Sequence, residues 1–231
     1  MVGLLKAGAL CVLMAIVAGC SGGSSKGPGG PGGTALNDSA QYLSVLRLAE
    51  NGACEQALPQ LRCMAARGPG FEGPQHVLGY CLMEKAAAAP AGDTAWSAEG
   101  LLWITRAANA GWGAAQAQLV SLYADGMVVP QDVRQAQKWR LVHTENPMRK
   151  SLGLPELDSI TQVQLDRLLT NDVRKKAQLQ ADAWQRTSWV SANEPNEAFQ
   201  AACTALLKGP AEKQQPPQRP GPGNGPGKGK H

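Results

Sequence analysis

The sequence predicts an all-α protein, a short stack of helix–turn–helix units with capping helices at both ends. Three observations carry that prediction. Trp103 and Trp139 stand 36 residues apart, one period of a two-helix unit. Between them large, small and turn residues alternate in a helix–turn–helix order: Ala107-Ala108, Gly111, Ala115-Gln116, Leu119, Tyr123, Gly126, Asp132, Ala136. The chain also has almost no runs of alternating β-branched residues, so no strand pattern emerges. A two-helix unit cannot bury its apolar face alone and must stack on neighbours.

Taken in chain order, Ser39–Glu50 reads as an N-terminal capping helix. A degenerate unit follows, with Leu58, Leu61, Ala65-Ala66, Gln75, Leu78 and Gly79, its two helices joined by a loop at Gly68–Gly73. Pro59 lacks an N–H and is tolerable there only near the first turn of its helix. Ala89–Ala98 reads as an insertion between units. In the central unit Leu101–Asn109 forms one helix and Ala114–Tyr123 the next. Trp103 and Ala107 share a face four residues apart, as do Leu119 and Tyr123. Gly111 ends the first helix in a left-handed conformation, Gly126 ends the second, and Asp132 caps a third over Val133–His143. Thr170 caps a later helix whose stripe is Val173, Ala177, Ala181 and Trp184. Glu197–Leu207 is a last short helix.

The run of small residue, Trp, Ala-Ala, Gly, Ala-Gln, Leu, Tyr, Gly, then Asp, Ala, Trp over Gly100–Trp139 resembles the Sel-one-like repeat family, a relative of tetratricopeptide repeats. The resemblance implies a short α-solenoid that binds protein on a concave face lined by the first helix of each unit. Val120 departs from it, since the family usually has Gly there, and implies slightly wider helix spacing. The face so nominated carries Arg106, Asn109, Arg140 and His143 beside Trp112, which follows Gly111 in a loop where the family normally has a polar residue. Trp112 is either an exposed anchor of the kind that dominates binding or a side chain folded back near Trp96.

The termini concern location. Lys6 precedes an apolar run, Ala7–Val17, too short to span a bilayer stably, which reads as a signal peptide over residues 1–19. Val17-Ala18-Gly19-Cys20 resembles the lipobox of bacterial lipoproteins and implies acylation of Cys20. At ~0.8 kcal/mol per buried methylene, several acyl chains hold a protein on a membrane. Ser21, where inner-membrane members of that class carry Asp, implies the outer membrane of a Gram-negative cell with the domain facing the periplasm. Residues 20–35 form a Gly/Ser/Pro tether with a reach of ~20 Å. The folded domain covers 36–207, and 208–231 is a Pro/Gly/Lys-rich tail disordered by composition.

Charge and cysteines bound the function further. The whole chain has 22 basic and 18 acidic residues, but Lys6 and the tail carry the excess, and Cys20–Leu207 holds 16 basic against 17 acidic. That balance makes no nucleic-acid face. Cys54, Cys63, Cys81 and Cys203 remain once Cys11 and Cys20 are set aside, an even number suited to an oxidising compartment. Cys54 and Cys63 share a helix with ~13 Å of rise between them, beyond disulfide reach. Matching helix depths favours Cys63–Cys81, leaving Cys54–Cys203; four free buried thiols are the alternative.

Catalytic signals are lacking. His76, His143 and His231 have no partner at metal-ligand spacing, no Cys-x-x-Cys motif occurs, and no Gly-x-Ser-x-Gly elbow lies in the folded domain. Some cysteine-rich members of the repeat family carry a β-lactamase label, but this chain has no Ser-x-x-Lys nucleophile pair at a plausible site, and Ser24-Ser25-Lys26 lies in the tether. The expectation is a non-catalytic binding scaffold with no metal or cofactor. Small Sel-one-like lipoproteins include immunity factors against secreted phospholipases, which makes such an effector the expected partner. An adaptor of an envelope secretion or polysaccharide-export assembly, and a β-lactamase-like enzyme, are the alternatives.

Overall fold

The computed structural model describes residues 34–89 and 94–190, together with 203, 204 and 206. The signal segment, Cys20, most of the tether, positions 90–93 of the insertion, most of the expected last helix and the tail lie outside the described residues. Among the described residues the secondary structure is entirely helical: α1 (Thr34–Glu50), α2 (Cys54–Ala65), α3 (Glu72–Ala88), α4 (Ala95–Asn109), α5 (Gly113–Asp125), α6 (Val133–Thr144), α7 (Pro147–Ser151), α8 (Ser159–Leu168) and α9 (Asn171–Asp182). None of these helices is long and apolar enough to cross a membrane.

Local chemistry sets the boundaries of the central helices. After α4, Gly111 takes φ +90°. Its N–H donates to the Ala108 carbonyl at 3.0 Å and the Trp112 N–H to that of Ala107 at 3.0 Å, the paired bonds of a Schellman ending. Gly126 closes α5 at φ +70°. The Asp132 side chain then accepts from the N–H groups of Arg134 and Gln135 and starts α6 as the sequence predicts. Thr170 caps α9 in the same manner. Two short helices were not foreseen: α7, opened by Asn146 with Pro147 in its first turn, and α8, capped by Asp158. Pro59 is the sixth residue of α2, deeper than its lost N–H allows at no cost; it lies on the exposed side, where water can take the Glu55 carbonyl.

Helices α1 to α6 each pack on the next in sequence, α9 returns onto α6, and α8 rests on α5 and α6. Two apolar clusters result. Val45, Leu58, Leu61, Leu78, Leu82 and Trp103 fill the first. Ile104, Leu119, Val120, Trp139 and Leu165 fill the second. Helix α4 is the wall between them, since Trp103 faces one cluster and Ile104 the other. The α3–α4 crossing is tight because both helices place glycine at it. A methyl group on Gly79 would lie 2.4 Å from Ile104 Cγ1, and one on Gly100 would lie 3.0 Å from the Gly79 carbonyl oxygen.

The disulfides pair differently from the sequence expectation. Cys54 bonds Cys81, and Cys63 bonds Cys203. The reason is helix register. α2 ends at Ala65 and α3 already starts at Glu72, so Cys81 lies nine residues into α3. That is ~13 Å of rise, which in an antiparallel pair lies opposite the start of α2, where Cys54 is, and not opposite Cys63 near its end.

Candidate functional site

The five residues nominated from sequence do not form one open face. Two of them, Arg106 and Asn109 on α4, meet a non-helical run of the chain itself, residues 184–190, which follows α9. The remaining three meet other elements of the fold. Arg140 on α6 donates from Nη1 to Asp166 Oδ1 of α8 at 2.7 Å. Trp112 is half-buried, with its Cζ2 3.4 Å from where a Gly73 side chain would begin and beside Tyr42. It therefore lies on α1 and α3, neither a free anchor nor a side chain stacked on Trp96, and its Nε1–H has no hydrogen-bond partner.

His143 is only 4% exposed. Its Nδ1 lies 3.1 Å from the Gly113 carbonyl oxygen, and burial, then the Arg149 charge, lower its pKa. It belongs to a buried polar network that locks α4, α5, α6 and α7 together. Gln116 Nε2 donates to the Ala108 carbonyl at 3.0 Å, and Asn146 Nδ2 donates to Gln116 Oε1 at 2.7 Å and to the Gly111 carbonyl at 2.9 Å. Arg149 is 6% exposed and donates to the carbonyls of His143, Thr144 and Leu154. Every one of those carbonyls sits at a helix end or loop, so the network adds side-chain donors where helix ends leave acceptors short, beside the backbone N–H bonds that Ala108 and His143 already accept. The assignment of His143 to a partner face is corrected accordingly.

The exposed segment after α9 makes the more informative contacts. The sequence predicts Trp184 on a helical stripe, but α9 ends at Asp182 and Trp184 begins a non-helical run. Trp184 meets Trp139 edge to face at 6.3 Å between centroids, and its Nε1–H donates to Asn109 Oδ1 at 3.2 Å. The Thr187 N–H donates to the Asn109 carbonyl at 2.9 Å. The Arg186 side chain covers Gly111 so closely that a methyl group there would lie 2.8 Å from its Cδ. Trp189 meets Trp103 edge to face at 5.4 Å. Arg106 stacks on both rings, 4.4 Å from Trp103 and 4.0 Å from Trp189, while Lys138 lies 3.8 Å over Trp139. Glu99 holds Trp103 in place by pairing with Arg62 of α2 and accepting from Trp103 Nε1 at 3.4 Å. Sequence reasoning missed Trp189 because an isolated tryptophan in an exposed, aperiodic run carries no helical signal.

Among the described residues no group of three His, Cys, Asp or Glu side chains could hold a metal ion. His76, on α3, is buried, and its pKa is pushed down to about 4 by desolvation, with the nearby Gln118 side chain opposing. The unfolded chain takes up this proton below pH 6.5 while the folded chain resists to about 4. Stability therefore falls as pH drops through that window. We expect urea midpoints to report a loss of about 2 kcal/mol attributable to His76 between pH 7 and pH 5. The H76Q variant should flatten that slope, and an unchanged slope would assign the loss to other groups.

The chain matches no known protein family, no curated protein and no solved structure.

Proposed function

We propose that this chain is a membrane-anchored lipoprotein of the Sel-one-like repeat class, facing the periplasm from the outer membrane, whose short solenoid binds another protein without catalysis. One observation carries the protein-binding reading: the α4–α6 face takes a non-helical stretch of polypeptide, residues 184–190, through two tryptophans and a main-chain hydrogen bond. The repeat reading is supported by a similar bond in both units. Gln75 Nε2 donates to the Ala65 carbonyl at 3.2 Å, as Gln116 Nε2 does to that of Ala108 at 3.0 Å. Each glutamine thereby ties the second helix of its unit to the end of the first. Location rests on the Val17–Cys20 lipobox and Ser21.

The proposed partner is a secreted phospholipase effector, with the chain acting as its immunity protein. A domain tethered ~20 Å from a bilayer stands where such an enzyme meets its substrate, and occluding the active site needs no chemistry from the binder. Crosslinked capture of the chain from envelope membranes, followed by inhibition assays on the captured protein, tests this. A phospholipase recovered in stoichiometric amount and inhibited by the purified chain is the expected result. Recovery of a stable export or secretion assembly, with no lipase, would overturn the immunity role and favour the adaptor.

A further inference from the structure

The two contacts of the non-helical run obey a rule. Trp103 and Trp139 occupy corresponding positions in successive units, 36 residues apart. Each is nearly buried, at 8% and 3% exposure. Each carries a cation, Arg106 over Trp103 and Lys138 over Trp139. Each receives one tryptophan from the non-helical run, Trp189 and Trp184 respectively. The run thus crosses the face from the later unit to the earlier one and deposits one aromatic side chain per unit. Five residues of extended chain reach ~17 Å, enough to step from α6 to α4, whose near neighbours pack ~10 Å apart.

The rest of the run behaves as a ligand does. Gln185, Arg186, Thr187 and Ser188 are exposed, and the segment meets the apolar clusters only through Trp184 and Trp189, one on each. Its main chain is read at Thr187 by the Asn109 carbonyl, and Asn109 also reads Trp184 through its side chain. Main-chain recognition combined with alternate side-chain pockets is how folded domains take extended peptides.

We propose that the surface of Trp103, Arg106, Asn109 and Trp139 is a groove for an extended partner segment with two aromatic side chains five positions apart, and that residues 184–189 are its in-chain occupant. This rests on the protein-binding reading above and names the chemistry of the segment that the partner presents. The resident segment is covalently continuous with α9 and so competes at high effective concentration; a partner gains the groove by displacing it.

The test is fluorescence anisotropy with a labelled synthetic peptide of the sequence Ala183–Val190 as probe and the full, disulfide-bonded chain as receptor. The W184A/W189A chain, its groove vacated, should bind the probe at least about tenfold more tightly than the unaltered chain, whose own segment competes. Adding R106A to that variant should weaken binding by about tenfold, since stacking on Trp103 and on the incoming ring is lost. A probe with both tryptophans replaced by alanine should not bind. Should the double change disturb folding by circular dichroism, W189A alone gives the same comparison with Trp184 left on Trp139. A folded, vacated chain that ignores the probe overturns the proposal, as does binding indifferent to R106A or to the probe's tryptophans. Those outcomes leave the partner-capture experiment untouched, and failure of capture with a groove that binds the probe would discard the phospholipase and keep the groove.

Discussion

Replacing Cys63 and Cys203 together with alanine is expected to destabilise the chain by about 5 kcal/mol. The bond closes a loop of sequence separation 140, against 27 for Cys54–Cys81. Loop-closure entropy grows with the logarithm of that length, so the same change at Cys54 and Cys81 should cost about 3.5 kcal/mol. Both sulfurs of the longer bridge are buried, so alanine also leaves small voids at Cys63 and Cys203. Thermal melts should place the C63A/C203A midpoint roughly 10–20 °C below the unaltered chain. A smaller drop than for C54A/C81A would contradict the connectivity. Non-reducing peptide mapping checks the pairing directly, since Cys54 should travel with Cys81 and Cys63 with Cys203.

That connectivity also marks where sequence reading fails. The α4–α6 region was legible because its signals are local: Gly111 and Gly126 demand left-handed backbone, Asp132 is a cap, and Trp103 with Ala107 repeats a face. Pairing Cys63 with Cys81 needed helix boundaries correct to within a turn, and the start of α3 was placed too late. Helix α7 and helix α8 escaped notice for a different reason. Asn146-Pro147 and Asp158 are readable caps, but α8 buries only Leu165 while Ile160 and Val163 stay exposed, so no apolar stripe announces it.

The candidate site was half legible. Arg106 and Asn109 could be nominated from sequence because they lie on the outward side of α4, one and two turns after Trp103. His143 and Trp112 were misjudged because their environments come from other elements: Gly113 and Arg149 for the histidine, Gly73 and Tyr42 for the indole. Trp184 follows Ala181 by three residues and so mimics a helical stripe, yet the helix stops first. A usable signal did exist in the order of aromatics, since Trp184 and Trp189 answer Trp139 and Trp103 in reverse.

The second large effect concerns the α3–α4 crossing. Helix propensity alone makes Gly79→Ala stabilising by about 1 kcal/mol, because Gly79 lies in the interior of α3. Packing opposes it. The new methyl group would sit 2.4 Å from Ile104 Cγ1, 2.8 Å from the Gly100 carbonyl oxygen and 3.0 Å from the Ile104 nitrogen. Two of those three atoms are backbone, and Ile104 is fully buried, so no side chain can swing aside. The helices must separate, opening both apolar clusters that α4 divides. We expect a net loss of about 3 kcal/mol and a midpoint lower by roughly 6–12 °C. Gly52→Ala provides the control: its φ of +75° strains an alanine, but nothing lies within 4 Å, so its cost should stay near 1 kcal/mol. Combining G79A with I104A should cost less than the two changes added, because the second removes the atom the first strikes. Equal losses for G79A and G52A, or strict additivity with I104A, would mean that the crossing yields more easily than its geometry implies.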